Sequence, residues 1–264
     1  MNLRSQARPA LCAIIVAAAF ALMPVTSPAQ AAAAKPDYAR EARWADEVAP
    51  SVMVGDAVYL DMPDRPHVLA LYTKASGAPV GAAVIVHGLG VQPDFGVIGE
   101  LRGALAERGV ATLSVQMPVL GGDALPVEYT ALFPIAGDRI DVAVHWLAAK
   151  EQRPVAVVAH SLGAAMANAW LARPEHAPVV AFVAIGMGVP FATMTLPPVL
   201  DIVAERDLAA VRSNAPLRAL ALGTSACSST LKVAGADYYL VGHGADLADA
   251  IVPFLVRASS DACR

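Results

Sequence analysis

From residue 82 onward, short and nearly continuous apolar runs alternate with amphipathic stretches, and this alternation restricts the fold more than any other feature of the chain. A strand whose two faces are both covered needs no polar alternation, so uninterrupted apolar runs of this kind predict parallel strands flanked by helices. The runs lie at 83–86, 111–115, 155–159, 180–185, 199–203 and 231–234. Between them Val97, Leu101, Ala104 and Leu105 recur at helical spacing, as do Ile140, Val144 and Leu147, marking one apolar face on each helix. The succession predicts an α/β fold with a mostly parallel central sheet, helices on both faces and right-handed crossovers. A last helix over 245–258 carries Leu247, Ile251, Phe254 and Leu255 on one side, with Pro253 expected to kink it or shift its start.

Upstream the pattern is different. Residues 32–49 are charged and helix-compatible, with Trp44 as a docking residue. Strand-like segments at 52–60 and 67–73 are separated by Asp61-Met62-Pro63-Asp64-Arg65-Pro66, whose prolines and aspartates favour a turn. They predict an antiparallel hairpin at a sheet edge. Segments 117–136 and 187–198 lack periodicity and are rich in Pro, Gly and large apolar residues; they read as loops over a substrate mouth. Within them Met117, Leu120, Tyr129, Phe133, Met187 and Phe191 are open to two roles, an apolar acyl pocket or ordinary packing.

The N-terminus reads as a secretory signal over residues 1–31. Arg4 and Arg8 precede an apolar run from Ala10 to Met23, and Ala29-Gln30-Ala31 offers small residues for cleavage. That run is shorter than the ~20 residues a spanning helix needs, and Cys12 lies too early in it for lipid attachment. Residues 32–264 are then one domain with no stable membrane span, expected in the periplasm or outside the cell. Removing the signal takes away two arginines and no acid, moving the formal charge from -4 to -6, which is no footprint for nucleic acid. Cys227 and Cys263 remain; in an oxidising compartment a lone pair commonly bridges, and a disulfide tying down the C-terminus is expected if their separation allows it.

The strongest chemical signal is Val158-Ala159-His160-Ser161-Leu162-Gly163-Ala164-Ala165, set between a β-branched apolar run and a helical stretch containing Met166, Ala169 and Trp170. A nucleophile elbow places its serine on a strained turn between strand and helix and needs small residues two before and two after it. Ala159 and Gly163 meet that need. With Val84-Ile85-Val86-His87-Gly88-Leu89-Gly90 upstream, the chain resembles the α/β-hydrolase superfamily over nearly all of residues 32–264. Gly88 through Phe95, Ala111 through Pro118 and Leu200-Asp201-Ile202 are similar to a bacterial group of mostly uncharacterised exported hydrolase-like proteins near the dienelactone-hydrolase type. The resemblance implies the α/β-hydrolase fold and a serine hydrolase, and speaks to fold more than to substrate.

The glycine-flanked turn at 88–90 can aim the Leu89 N–H at a reacting centre, and the Leu162 N–H at the helix start can supply a second donor; together they would form an oxyanion hole. His87 and His160 read as structural. The superfamily places its acid after a late strand, in the order serine, acid, histidine, and Asp207 fits, although capping the following helix is its other available role. Asp201, inside the strand, reads as a buried hydrogen-bonding residue, and Glu205 as a weaker substitute acid. In proteins of this resemblance the base follows Gly-Ala-Asp after the last strand, but here Gly235-Ala236-Asp237 leads to Tyr238-Tyr239. A tyrosine with a pKa of about 10 is a hydrogen-bond donor at neutral pH and not a proton acceptor. His243, flanked by Gly242 and Gly244, is the remaining histidine of that region and is the expected base.

No metal-ligand spacing, dinucleotide fingerprint or P-loop is present, and no cofactor is expected. The resulting expectation is a serine hydrolase in which Ser161, His243 and Asp207 cleave a carboxylic ester of a small acyl substrate through an acyl-enzyme. The alternative is a binding or scaffold protein that kept the fold and lost catalysis at position 238.

Overall fold

A computed structural model describes residues 35–263 apart from 224; the expected signal at 1–31 lies outside the described residues. In chain order the elements are helix α1 (Tyr38–Val48), strands β1 (Asp56–Leu60), β2 (Val68–Thr73) and β3 (Gly81–Val86), helix α2 (Val97–Glu107), β4 (Val110–Val115), α3 (Phe133–Glu151), β5 (Val155–His160), α4 (Leu162–Leu171), β6 (Phe182–Ile185), β7 (Val199–Arg206), α5 (Ala209–Leu222), β8 (Ser229–Asp237) and α6 (Gly244–Ala258). Every predicted strand is present. The eight form one sheet in the order β1-β2-β4-β3-β5-β6-β7-β8. The hairpin β1/β2 and the β2/β4 pair are antiparallel, and all other pairs are parallel. The hairpin therefore closes one edge of the sheet, as expected.

Side chains alternate across a strand, and here each alternate set meets its own helix layer. Ala82, Val84 and Val86 of β3 and Val155, Val157 and Ala159 of β5 pack with Ile140, Val144 and Leu147 of α3 and Trp170 of α4. Ala83, Ile85, Ala156 and Val158 face the other way, onto Leu101 and Leu105 of α2 and Leu247, Ile251 and Phe254 of α6. Burial on both faces explains why these strands carry no polar alternation. One detail differs from the sequence expectation. Segment 117–136 is not all loop, because Pro126–Leu132 winds into a 3₁₀ turn leading directly into α3. Helix α6, Gly244–Ala258, contains Pro253 and covers the expected residues.

Helix α1 is fixed by buried charge as well as by apolar packing. Arg139 of α3, fully buried, bonds Glu41 of α1 (3.0 Å), Asp64 of the hairpin turn and the Gln116 carbonyl (2.9 Å). A buried guanidinium with acceptors on three segments ties α1 and the hairpin to the end of β4. At the opposite end of the chain Cys227 and Cys263 are bridged, joining the segment before β8 to the C-terminus. Among the described residues no helix is long and apolar enough to cross a membrane.

Candidate active site

The six parallel strands β3 to β8 end at one edge of the sheet, so the loops that follow them share a face. Ser161 sits there. It follows β5 directly, has φ 57 and ψ −122, and is succeeded by the first residue of α4. That backbone is strained for a side-chain-bearing residue, and packing imposes it. Ser161 N–H still donates to the Ile185 carbonyl at 2.8 Å, continuing the β5–β6 pairing, while the chain must turn at once into the helix. Gly163 lies against the Val86 and His87 carbonyl oxygens, where any Cβ would collide with backbone. Gly88 comes as close on the other side, since a Cβ there would stand 3.2 Å from that of Ser161. The small residues expected of a nucleophile elbow are those the geometry demands.

The turn that follows β3 is held from two directions. His87 is fully buried; its Nδ1 pairs with the Gly88 carbonyl at 3.0 Å and its Nε2 accepts the Met117 N–H at 2.9 Å. Arg40 of α1 donates to the Gly90 carbonyl at 3.1 Å and to the Leu120 carbonyl at 2.8 Å. Leu89 lies between these anchors, and Leu89 and Leu162 both line the cleft at Ser161. Neither of their N–H groups has an acceptor among the described residues, an arrangement suited to an oxyanion.

Because Met117 N–H must donate to Nε2, His87 is neutral. Burial, helped by the charge of Arg139 and opposed by the bond to Gly88, lowers its pKa from 6.5 to about 4. The unfolded chain therefore binds the extra proton first, and His87 contributes stability that is complete above pH 6.5 and is lost as pH falls through 4. A drop from pH 7 to pH 4 should cost about 3 kcal/mol through this residue. Urea unfolding at the two pH values checks it: His87→Gln should narrow the difference by roughly that amount, and an unchanged difference would assign the acid sensitivity elsewhere.

Asp207 is buried beyond β7, 4% exposed, and accepts the Ala204 N–H at 2.9 Å and the Leu208 N–H at 2.8 Å. It caps the turn into α5 and also reaches the site. A side chain at Gly186 would touch both Asp207 Oδ2 (3.8 Å) and His160 Nε2 (3.6 Å). Asp201 is engaged separately, as a buried partner of Arg218 (2.9 and 3.0 Å). Glu205 turns outward to Lys232 and the Gly235 N–H. Of the three carboxylates only Asp207 acts through its charge on His160 and Tyr238.

His243, the expected base, is not brought to Ser161. Its Nδ1 lies 3.4 Å from Asp246 Oδ2, and it borders a surface depression with Arg206, Asp237 and Tyr239. The reason is the turn beyond β8, which Glu100 of α2 clamps by accepting the Gly242 and Gly244 N–H groups, each at 2.9 Å. The residue that meets the serine is Tyr238, whose hydroxyl hydrogen-bonds Ser161 Oγ. Its ring centroid lies 5.2 Å from that of His160 and 5.2 Å from that of Tyr239. Burial pushes the phenol pKa above 10, the charge of Asp207 adds to the shift, and the bond to Ser161 opposes it. His160, the other imidazole nearby, pairs its Nε2 with the Tyr238 carbonyl at 3.2 Å. Burial lowers its pKa, against that bond and Asp207.

A family model described as the alpha/beta hydrolase family matches residues 83–262. The chain belongs to the alpha/beta hydrolase family. No curated protein sequence matches it significantly. Solved structures resemble this chain in fold, among them an α/β serine hydrolase without a lid from Xanthomonas campestris, at 16% identity over 78% of this chain and 95% of that one with a TM-score of 0.63. A dienelactone hydrolase from Anabaena variabilis matches at 21% identity over 75% and 94%, TM-score 0.57. The esterase domain of a Rhodothermus marinus protein matches at 16% over 76% and 98%, TM-score 0.57.

In this family member the walls of the cleft come from other residues than those singled out in the sequence. Met117, Leu120, Tyr129 and Met187 are buried in the core, and Phe133 and Phe191 pack against it. The cleft at Ser161 is bounded instead by Pro126, Val189, Leu208 and Val211. Periodicity cannot separate these sets, because apart from Phe133 of α3 and Val211 of α5 both lie outside the α-helices and strands. The position of Tyr238 was legible, since it follows Gly-Ala-Asp at the end of β8; its hydrogen bond to the serine was not.

Proposed function

We propose that this hydrolase binds a small acyl or ester compound by its carbonyl group in the Ser161 cleft and turns it over only slowly. The observation that carries this reading is the hydrogen bond from Tyr238 to Ser161 Oγ. A phenol whose pKa lies above 10 does not take the serine proton at neutral pH. The two hydroxyls share one of their protons, which leaves one to donate outward, next to the Leu89 and Leu162 N–H groups. Such a cluster receives a carbonyl oxygen without activating a nucleophile. An oxyanion hole with no triad can still supply ~10³–10⁴-fold over water, so residual turnover belongs to the proposal. The bridge between Cys227 and Cys263 supports an oxidising location, in the periplasm or outside the cell.

A second reading, a working serine esterase that passes through an acyl-enzyme, is favoured by the intact elbow and by Asp207 beside it. Treating the folded chain with a fluorophosphonate and locating adducts by mass spectrometry separates the two. Little labelling of Ser161 over hours is the expected result. Rapid stoichiometric labelling of Ser161 that His243→Ala abolishes would overturn it in favour of the esterase.

A further inference from the structure

Two cavities share Leu89 and Tyr238 as wall residues and form two lobes beside Ser161 and Tyr238, and their lining is unusual in what it omits. The larger lobe, about 250 Å³, contains Ser161 and is walled by Pro126, Leu162, Val189, Leu208 and Val211. The smaller, about 100 Å³, lies across Tyr238 and is walled by Val91, Phe95, Val97, Ile98 and Val241, with His160 at its base. Leu89 and Tyr238 border both. No Lys, Arg, Asp or Glu lines either lobe, and the one imidazole present has its pKa lowered by burial. A charged ligand group would enter such a lobe without a counter-charge and lose its hydration.

The apolar character continues outward. Loops after five different strands expose large apolar side chains on the face that carries the cleft: Phe95 after β3, Leu125 and Val127 after β4, Met194 after β6, Leu208 after β7 and Val241 after β8. Met194 is 80% exposed and Val127 70%. Apolar residues gathered around a cleft mouth mark a binding surface more strongly than the same residues scattered, and Phe95, Leu208 and Val241 are themselves cleft walls.

Resting on the carbonyl-binding reading above, we infer that the ligand is an uncharged carbonyl amphiphile. Its carbonyl oxygen lies at Ser161 and Tyr238, a short arm fills the smaller lobe, and one alkyl chain occupies the larger lobe and leaves over Leu208.

Calorimetric titration of the full chain with 2-alkanones of increasing length tests this. Affinity should rise about fourfold per methylene, equivalent to ~0.8 kcal/mol, and level off once the chain reaches the rim. An ω-carboxylate on ketones too short to reach the rim should weaken binding by at least 100-fold, because the charge is then held inside the lobe. Leu208→Glu, at a half-exposed wall position, should flatten the chain-length dependence while leaving the unfolding midpoint in place. If short ketones bind but length has no effect, or the ω-carboxylates bind equally well, the amphiphile inference fails and the carbonyl site stands. If n-alkanes bind as tightly as the ketones, the carbonyl reading fails and the apolar lobes stand. Absence of binding by any of them overturns both.

Discussion

Tyr238→His is expected to raise ester turnover at neutral pH by about 10²–10⁴-fold, the usual contribution of a positioned general base. The wild-type site has a serine on its elbow, two free N–H groups beside it and a buried carboxylate beyond, but a phenol bonded to Ser161 Oγ. An imidazole with a pKa near 6.5 is largely unprotonated at pH 7 and accepts where the phenol can only donate. The present ring packs against those of His160 and Tyr239, and a smaller imidazole fits in the same contacts. Asp207 charge acts on both residues 160 and 238, so Asp207→Asn added to Tyr238→His should return most of the gain. The check is kcat/KM with a short p-nitrophenyl ester for wild type, Tyr238→His and Tyr238→Phe. A folded Tyr238→His protein no faster than wild type would mean that the site lacks more than a base, and the reading of a silenced hydrolase would fall.

The largest stability effect is expected at Asp201→Ala, about 3–5 kcal/mol in urea unfolding, because it strands a buried guanidinium. Asp201 of β7 and Arg218 of α5 have side chains 1% and 0% exposed, and Arg218 Nε reaches both carboxylate oxygens at 2.9 and 3.0 Å. Burial raises the Asp201 pKa in spite of the arginine, so desolvation works against the charged pair even with both partners present. Among the described residues Arg218 Nη2 has no partner, and no other carboxylate is bonded to this side chain. Replacing both residues with apolar ones of similar size should therefore cost much less than removing the aspartate alone. A loss below ~1 kcal/mol for Asp201→Ala would show that the guanidinium finds water or another acceptor. The pair also bears on the cleft: Arg218 Nη1 donates to the Val189 carbonyl at 3.4 Å, and Asn214 of the same helix bonds the Gly188 carbonyl at 2.9 Å. Freeing α5 would loosen the wall that faces Ser161.

The order of the strands' apolar runs, the edge hairpin and the elbow were all legible in the chain, because each depends on neighbours close in sequence. Alternation decides which faces are buried, and Ala159 and Gly163 are small because a serine on a strand-to-helix turn tolerates nothing larger. The Cys227–Cys263 bridge followed from there being no other cysteine after residue 31. Asp207 was legible as the carboxylate just past a late strand, and Asp201 as one inside it.

What tertiary structure alone decided is where side chains on irregular segments point. His243 and Tyr238 are five residues apart on one turn, and local sequence favours the histidine on chemistry and glycine flanks. Glu100, which precedes that turn by more than a hundred residues, holds the backbone so that the tyrosine meets Ser161 and the histidine meets Asp246. The same limit applies to the cleft walls, where Val189 and Leu208 line the site and Met117 and Met187 fill the core. Periodic segments carry their orientation in the spacing of their apolar residues, whereas a loop takes its orientation from whatever distant group satisfies its backbone.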